Sequence, residues 1–137
     1  MAQIGTKVQH TVLSRQENEI ARIVVGACFN IHKTLGPGLL ESVYKKCLQY
    51  ELTKKGLCFR TEQLVPIWYD RVYIEQGLRL DFLVEELVII EIKAQENTHP
   101  VWEAQLLSYL KLTGKRLGLI VNFHVPLIKH GIKRMII

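Results

Sequence analysis

The chain has 137 residues, 48% of them apolar, and a formal charge of +5 from 18 Lys and Arg against 13 Asp and Glu. That length fits one domain, 1–137, able to bury most of its apolar surface without staples, and no apolar run approaches the roughly 18 residues of a membrane span. The three cysteines, Cys28, Cys47 and Cys58, are odd in number, lie in apolar segments and form no C-x-x-C, which argues against a disulfide framework and a structural zinc site.

Buried thiols in a reducing compartment are expected instead. Met1 to Gln16 lacks the basic start and apolar core of a signal peptide, so the sequence reads as a soluble, cytoplasmic protein with no membrane partner and a peripheral N-terminal segment over 1–15. The basic balance suits a phosphate-rich partner, because lysines and arginines gain affinity by releasing counterions from a nucleic-acid backbone. A mildly basic but otherwise ordinary surface is the plainer account.

Ser14-Arg15-Gln16-Glu17 has the form of a capping box, and Ile20, Val24, Ala27, Cys28, Ile31 and Leu35 follow at three- and four-residue steps, which predicts a helix from about Gln16 to Lys33. Leu35-Gly36-Pro37-Gly38 ends it. A second helix is predicted from about Leu39 to Lys55, burying Leu40, Val43, Cys47 and Leu48, with Gly56 as its C-terminal cap. From Phe59 the period changes to two, and Leu64–Tyr69, Arg71–Glu75, Leu78–Val84 and Val88–Ile92 read as an antiparallel meander. Pro66 in the first of these implies an edge strand or a bulge. A third helix from about Pro100 to Thr113, stopped by Gly114, leads to an apolar strand, Leu117–Phe123. A helical crossover joins parallel strands, so this strand should run parallel to Val88–Ile92. Gly131–Ile137 is a candidate last strand.

Asp81 and the triplet Glu91-Ile92-Lys93 carry the chemistry. Side chains alternate across a strand, so Glu91 and Lys93 share one face and Val88, Ile90 and Ile92 the other, which should meet the core. A two-residue turn at Glu85-Glu86 would put Asp81 out of step with Glu91, whereas a three-residue loop, Glu85 to Leu87, sets them opposite each other. Two adjacent carboxylates repel unless a cation or proton joins them, and magnesium or manganese, hard and oxygen-preferring, suits such a pair. Lys93 would hold the attacking water and stabilise charge growing on a phosphate. Glu41, near the start of the second helix, offers a further oxygen, with Tyr44 on the same side one turn later. Gln105 and Tyr109 share a helical face and could contact a phosphate or base. For each of these the plainer account is a solvated strand charge, a helix N-terminal charge, or a helix with one buried tyrosine and one exposed glutamine.

Taken together, G-x-x-E-x-x-Y at Gly38 to Tyr44, Asp81, E-x-K at Glu91 to Lys93 and Q-x-x-x-Y at Gln105 to Tyr109 resemble the GxxExxY proteins of the PD-(D/E)XK nuclease superfamily, over about Ile20 to Arg134. The resemblance implies an α/β (α+β) fold, a central mixed sheet flanked by helices, with a restriction-endonuclease-like αβββαβ core and an extra N-terminal helix. It implies Asp81, Glu91 and the Ile92 main-chain carbonyl as ligands of Mg2+ or Mn2+, Lys93 as the catalytic lysine, Glu41 as a further acid of the site, and Gln105, Tyr109 and Tyr44 as substrate contacts. Leu80 stands where the superfamily name writes proline, a position with no chemical role.

No close metal-binding pair occurs among His10, His32, His99, His124 and His130. His99 and Trp102 are candidates for the cleft wall, or equally a helix-start residue and a packing ring. Lys111, Lys115, Arg116, Lys129, Lys133 and Arg134 are candidates for phosphate tracking. The function expected is metal-dependent hydrolysis of nucleic acid, DNA before RNA. The alternatives are a catalytically silent nucleic-acid-binding module on the same fold and a protein-binding domain. A homodimer would suit so small a nuclease by adding substrate surface, although the sequence carries no interface signature.

Overall fold

The computed structural model describes residues 12–137, so most of the expected N-terminal segment, 1–15, and His10 lie outside the described residues. Helix α1, Arg15–Leu35, starts at the anticipated capping box: the Glu17 amide donates to Ser14 Oγ at 3.0 Å and the Ser14 amide to Glu17 Oε1 at 2.8 Å. Helix α2 spans Glu41–Lys54, and α3 spans Pro100–Thr113 with Gly114 in the left-handed conformation behind it. Strands β1, Phe59–Tyr69, β2, Val72–Val84, β3, Val88–Lys93, β4, Leu117–Asn122, and β5, Ile132–Ile136, form one sheet in the order β1-β2-β3-β4-β5. Among the described residues only β3 and β4 pair in parallel, across the α3 crossover as expected. A 3-10 turn, Ile128–Gly131, precedes β5.

Helices cover both faces of the sheet. On one, α1 and α2 bury Ile20, Val24, Tyr44 and Leu48 against Phe82, Val88, Ile90 and Ile92. On the other, α3 lays Trp102, Leu106 and Leu110 on Leu80, Leu83, Ile89 and Ile120. The expectation of one core-facing trio on β3 is therefore too simple: the strand is buried on both sides, as parallel-paired strands under helices are. No helix among the described residues is long and apolar enough to cross a membrane.

Four local expectations need correction. Leu40 and Val43 are exposed, because α2 begins at Glu41 and its buried stripe is Tyr44, Leu48 and Leu52. Arg71–Glu75 and Leu78–Val84 are one strand rather than two; the gap expected between Glu75 and Leu78 is a register irregularity where Ile67 packs so closely that a Cβ on Gly77 would meet it at 2.4 Å. The first strand begins at Phe59, and Pro66 does lie on an edge strand at that irregularity. Of the cysteines only Cys28 is buried, its thiol pushed up to about 12 by burial; Cys47 is half-buried and Cys58 exposed.

Candidate active site

The turn between β2 and β3 decides the site. Val84 pairs with Val88, leaving a three-residue loop of Glu85, Glu86 and Leu87. Glu85 and Glu86 both take left-handed backbone angles, φ 53° and 57°, unfavourable for residues with a Cβ. Their side chains pin them there, Glu85 accepting from the Cys58 amide at 2.5 Å and Glu86 from Arg60 Nε at 2.6 Å. The odd loop sets the β2–β3 register expected from the sequence as far as Phe82 and Ile90, the neighbours of Asp81 and Glu91.

The β2–β3 ladder stops at Phe82–Ile90, one step short of that pair. In place of main-chain bonds, Glu91 Oε2 accepts the Asp81 amide proton at 3.0 Å and Asp81 Oδ2 accepts that of Ile92 at 2.8 Å. Two carboxylates are thus laced between the strands, each held by the other strand's backbone. Glu91 is 5% exposed; burial first, and the Asp81 charge second, push its carboxyl up to about 8. Lys93, half-buried, stands with its Nζ 5.5 Å from the centre of the Trp102 ring, a cation–π contact that limits its motion. Trp102 therefore both packs α3 and positions Lys93.

Glu41 lies in the first turn of α2. It reaches Asp81 through a lysine: Lys45 Nζ is 3.2 Å from Glu41 Oε2, 3.1 Å from Asp81 Oδ1 and 3.4 Å from Glu62 Oε2 on β1. Burial lowers the Lys45 pKa, but Asp81 and Glu41 outweigh it and hold the ammonium above the ordinary lysine range. Glu62 is itself paired with Arg79. Among the described residues no three His, Cys, Asp or Glu side chains close directly on a common metal position; the acids gather around Lys45. The donor set still fits a hard divalent ion, since Asp81 and Glu91 present adjacent carboxylates, one of them buried and short of a counter-charge.

Tyr109 is half-buried on α3, and burial, then the charges of Glu91 and Asp81, raise its hydroxyl pKa. Gln105, one turn earlier, is exposed on the same helix. Tyr44 does not face substrate. Its ring is wholly buried, stacked on Phe123 with centroids 4.3 Å apart, and its hydroxyl donates to the Gly36 carbonyl at 2.6 Å and accepts from the Leu39 amide at 3.1 Å. The tyrosine of G-x-x-E-x-x-Y ties down the glycine-rich turn from which Glu41 enters its helix.

Lys45 and Glu62 were not singled out by sequence reasoning. Lys45 had a legible signal, four residues after Glu41 on one helical face; Glu62 had none, because only the pairing of β1 with β2 brings it near. Asn122, 2% exposed, is a further unread residue. It clamps the chain just beyond Lys93, donating to the Gln95 carbonyl at 2.8 Å and accepting the Gln95 amide at 3.1 Å. His99 caps α3 through a bond from the Val101 amide at 3.1 Å, and His32 contacts the Val125 carbonyl at 2.8 Å.

No curated protein and no solved structure matches the chain. The family model of the PD-(D/E)XK nuclease superfamily matches residues 18–135, which take in every residue of the site and all of the fold but the start of α1 and the last residue of β5. With a mixed five-stranded sheet between helices and the Asp81, Glu91 and Lys93 arrangement at its centre, the chain belongs to the PD-(D/E)XK nuclease superfamily.

Proposed function

We propose that the protein is a divalent-metal-dependent nuclease of the GxxExxY type, hydrolysing phosphodiester bonds of nucleic acid, DNA before RNA. The observation that carries this reading is the pair Asp81 and Glu91, laced between β2 and β3 with Glu91 buried and Lys93 two residues on. A site that presses two carboxylates together in partial burial is unfavourable unless a cation or a proton joins them, and a divalent ion does so with both carboxylates ionised. The DNA preference and the GxxExxY assignment follow from the motif resemblance, and three free thiols suit a cytoplasmic setting.

Asp81, Glu91 and the Ile92 carbonyl would hold a magnesium or manganese ion, with Glu41 adding its charge from α2. When bound, such an ion supplies Lewis-acid polarisation of the phosphodiester and charge to offset the leaving oxygen. Lys93, restrained over Trp102, orients the attacking water and stabilises charge growing on the phosphate. Tyr109 and Gln105 extend along α3 as contacts for the substrate backbone. Tyr44 and Asn122 act through others, the first by seating Glu41 and the second by fixing the strand end behind Lys93.

The test is incubation of purified wild type and Lys93→Ala with single- and double-stranded DNA and RNA in magnesium, manganese and chelator. Cleavage should require metal, and Lys93→Ala should lower turnover roughly 10²–10³-fold, the scale of losing one charge-stabilising donor, with thermal unfolding unchanged. Equal turnover in the variant refutes the mechanism. One observation favours the second reading, nucleic-acid binding without cleavage: the Lys45 ammonium already neutralises Asp81 and Glu41. Salt-dependent DNA binding with no cleavage in any metal would select it.

A further inference from the structure

Among the described residues Lys45 is the one cation in contact with acids from three separate elements, Glu41 of α2, Glu62 of β1 and Asp81 of β2, all within 3.4 Å of its Nζ. Its side chain is 20% exposed, so the contacts are sheltered without being sealed. The two oxygens of Asp81 are differently committed: Oδ2 accepts the Ile92 amide, and Oδ1 is the one that faces Lys45. A cation arriving at Asp81 therefore meets a positive charge on the oxygen that the backbone leaves open. Two like charges a few ångströms apart near a protein surface repel strongly. Lys45 also has somewhere else to go. Its stem has four carbons and rotates freely, and Glu41 and Glu62 remain as partners if the contact with Asp81 is given up.

We propose that Lys45 is an internal counter-ion that a divalent cation must displace from Asp81, so that this lysine sets how tightly the site holds metal. The inference rests on the reading of Asp81 and Glu91 as metal ligands. It makes Lys45 a positioning residue with two seats: on Asp81 in the metal-free protein, holding the acids together, and on Glu41 and Glu62 once metal is bound. The acid cluster is then tolerated at both stages, because a positive charge always lies among the carboxylates.

The experiment is calorimetric titration of Mn2+ and Mg2+ into wild type, Lys45→Met and Lys46→Met, with thermal unfolding of each in chelator and in metal. Lys46, exposed and adjacent on the same helix, controls for the change in net charge. Lys45→Met should bind either metal about tenfold or more tightly than wild type, a conservative share of the repulsion removed. It should unfold at lower temperature in chelator, where the acids lose their counter-ion, and recover in metal by more than wild type gains. Lys46→Met should follow wild type in both measurements. Lys45→Gln, which keeps a donor of intermediate length, carries the same comparison if the methionine variant does not fold. Metal affinity in the Lys45 variants equal to or weaker than that of wild type overturns the proposal while leaving the nuclease reading standing. Binding by Lys45→Met alone supports it and explains a silent wild type. Absence of binding in every protein overturns both readings together.

Discussion

Glu91 combines a titratable group with almost complete burial, and the direction of its shift makes a testable statement about stability. Its carboxyl is pushed up to about 8 by burial and by the Asp81 charge, from an ordinary value of 4.5. Between those values the metal-free folded protein binds more protons than the unfolded chain, so stability falls as pH rises through that window. Glu91→Gln keeps an oxygen for the Asp81 amide and removes the titration. In chelator the variant should unfold at a higher temperature than wild type at pH 8, with the two converging toward pH 5; parallel pH profiles would show that Glu91 is not held protonated. At this scale the nearness of Asp81 to Glu91 was legible, because strand alternation and loop length translate into which side chains adjoin. Tyr44 was misread, because spacing reports the side of a helix a residue occupies but not whether that side meets solvent or Phe123.

The stretch from Gly36 to Lys54 shows how an element places a charge. Helix α2 has no side-chain hydrogen bond at its N-cap, Leu40; the Tyr44 hydroxyl instead stitches the preceding turn, bonding Gly36 on one side and Leu39 on the other. Tyr44→Phe keeps the stack on Phe123 and removes both bonds, leaving buried polar groups without that partner. The expected cost is about 1–3 kcal/mol in denaturant unfolding, with turnover reduced because Glu41 loses its fixed entry. Unchanged stability would mean that the turn holds itself. Helix α3 was predicted with its observed bounds because its ends are chemically marked by Pro100 and Gly114. The gap expected between Glu75 and Leu78 is absent, the strand running through Gly77, which makes room for Ile67 from the neighbouring strand.

Across the whole molecule, three layers bring together groups that no single segment contains. Gly118 on β4 lets α3 lie close, since a Cβ there would meet Leu106 at 2.8 Å, and α3 carries Tyr109 and Trp102 to the acid pair. The formal charge of +5 belongs to this scale as well. On the nuclease reading this net positive charge favours contact with phosphate. DNA binding by Lys93→Ala in chelator should weaken with salt, with a slope of log K against log salt on the order of −3, for about three to four phosphates neutralised. A slope near zero, measured by fluorescence anisotropy, would exclude a phosphate-directed surface.

By itself the sequence determined what is local or periodic: the capped helices, the parallel return of Leu117–Asn122, and the three-residue loop of Glu85 to Leu87 that fixes the β2–β3 register next to Asp81 and Glu91. Only the tertiary structure decided that β3 is buried on both faces, that Tyr44 points inward, and that Lys45 stands among Glu41, Glu62 and Asp81. The physical reason is range. Periodicity and turn chemistry act over a few residues, whereas the charge around Asp81 comes from side chains on α2, β1, β2 and β3 that meet only when both helical layers close on the sheet.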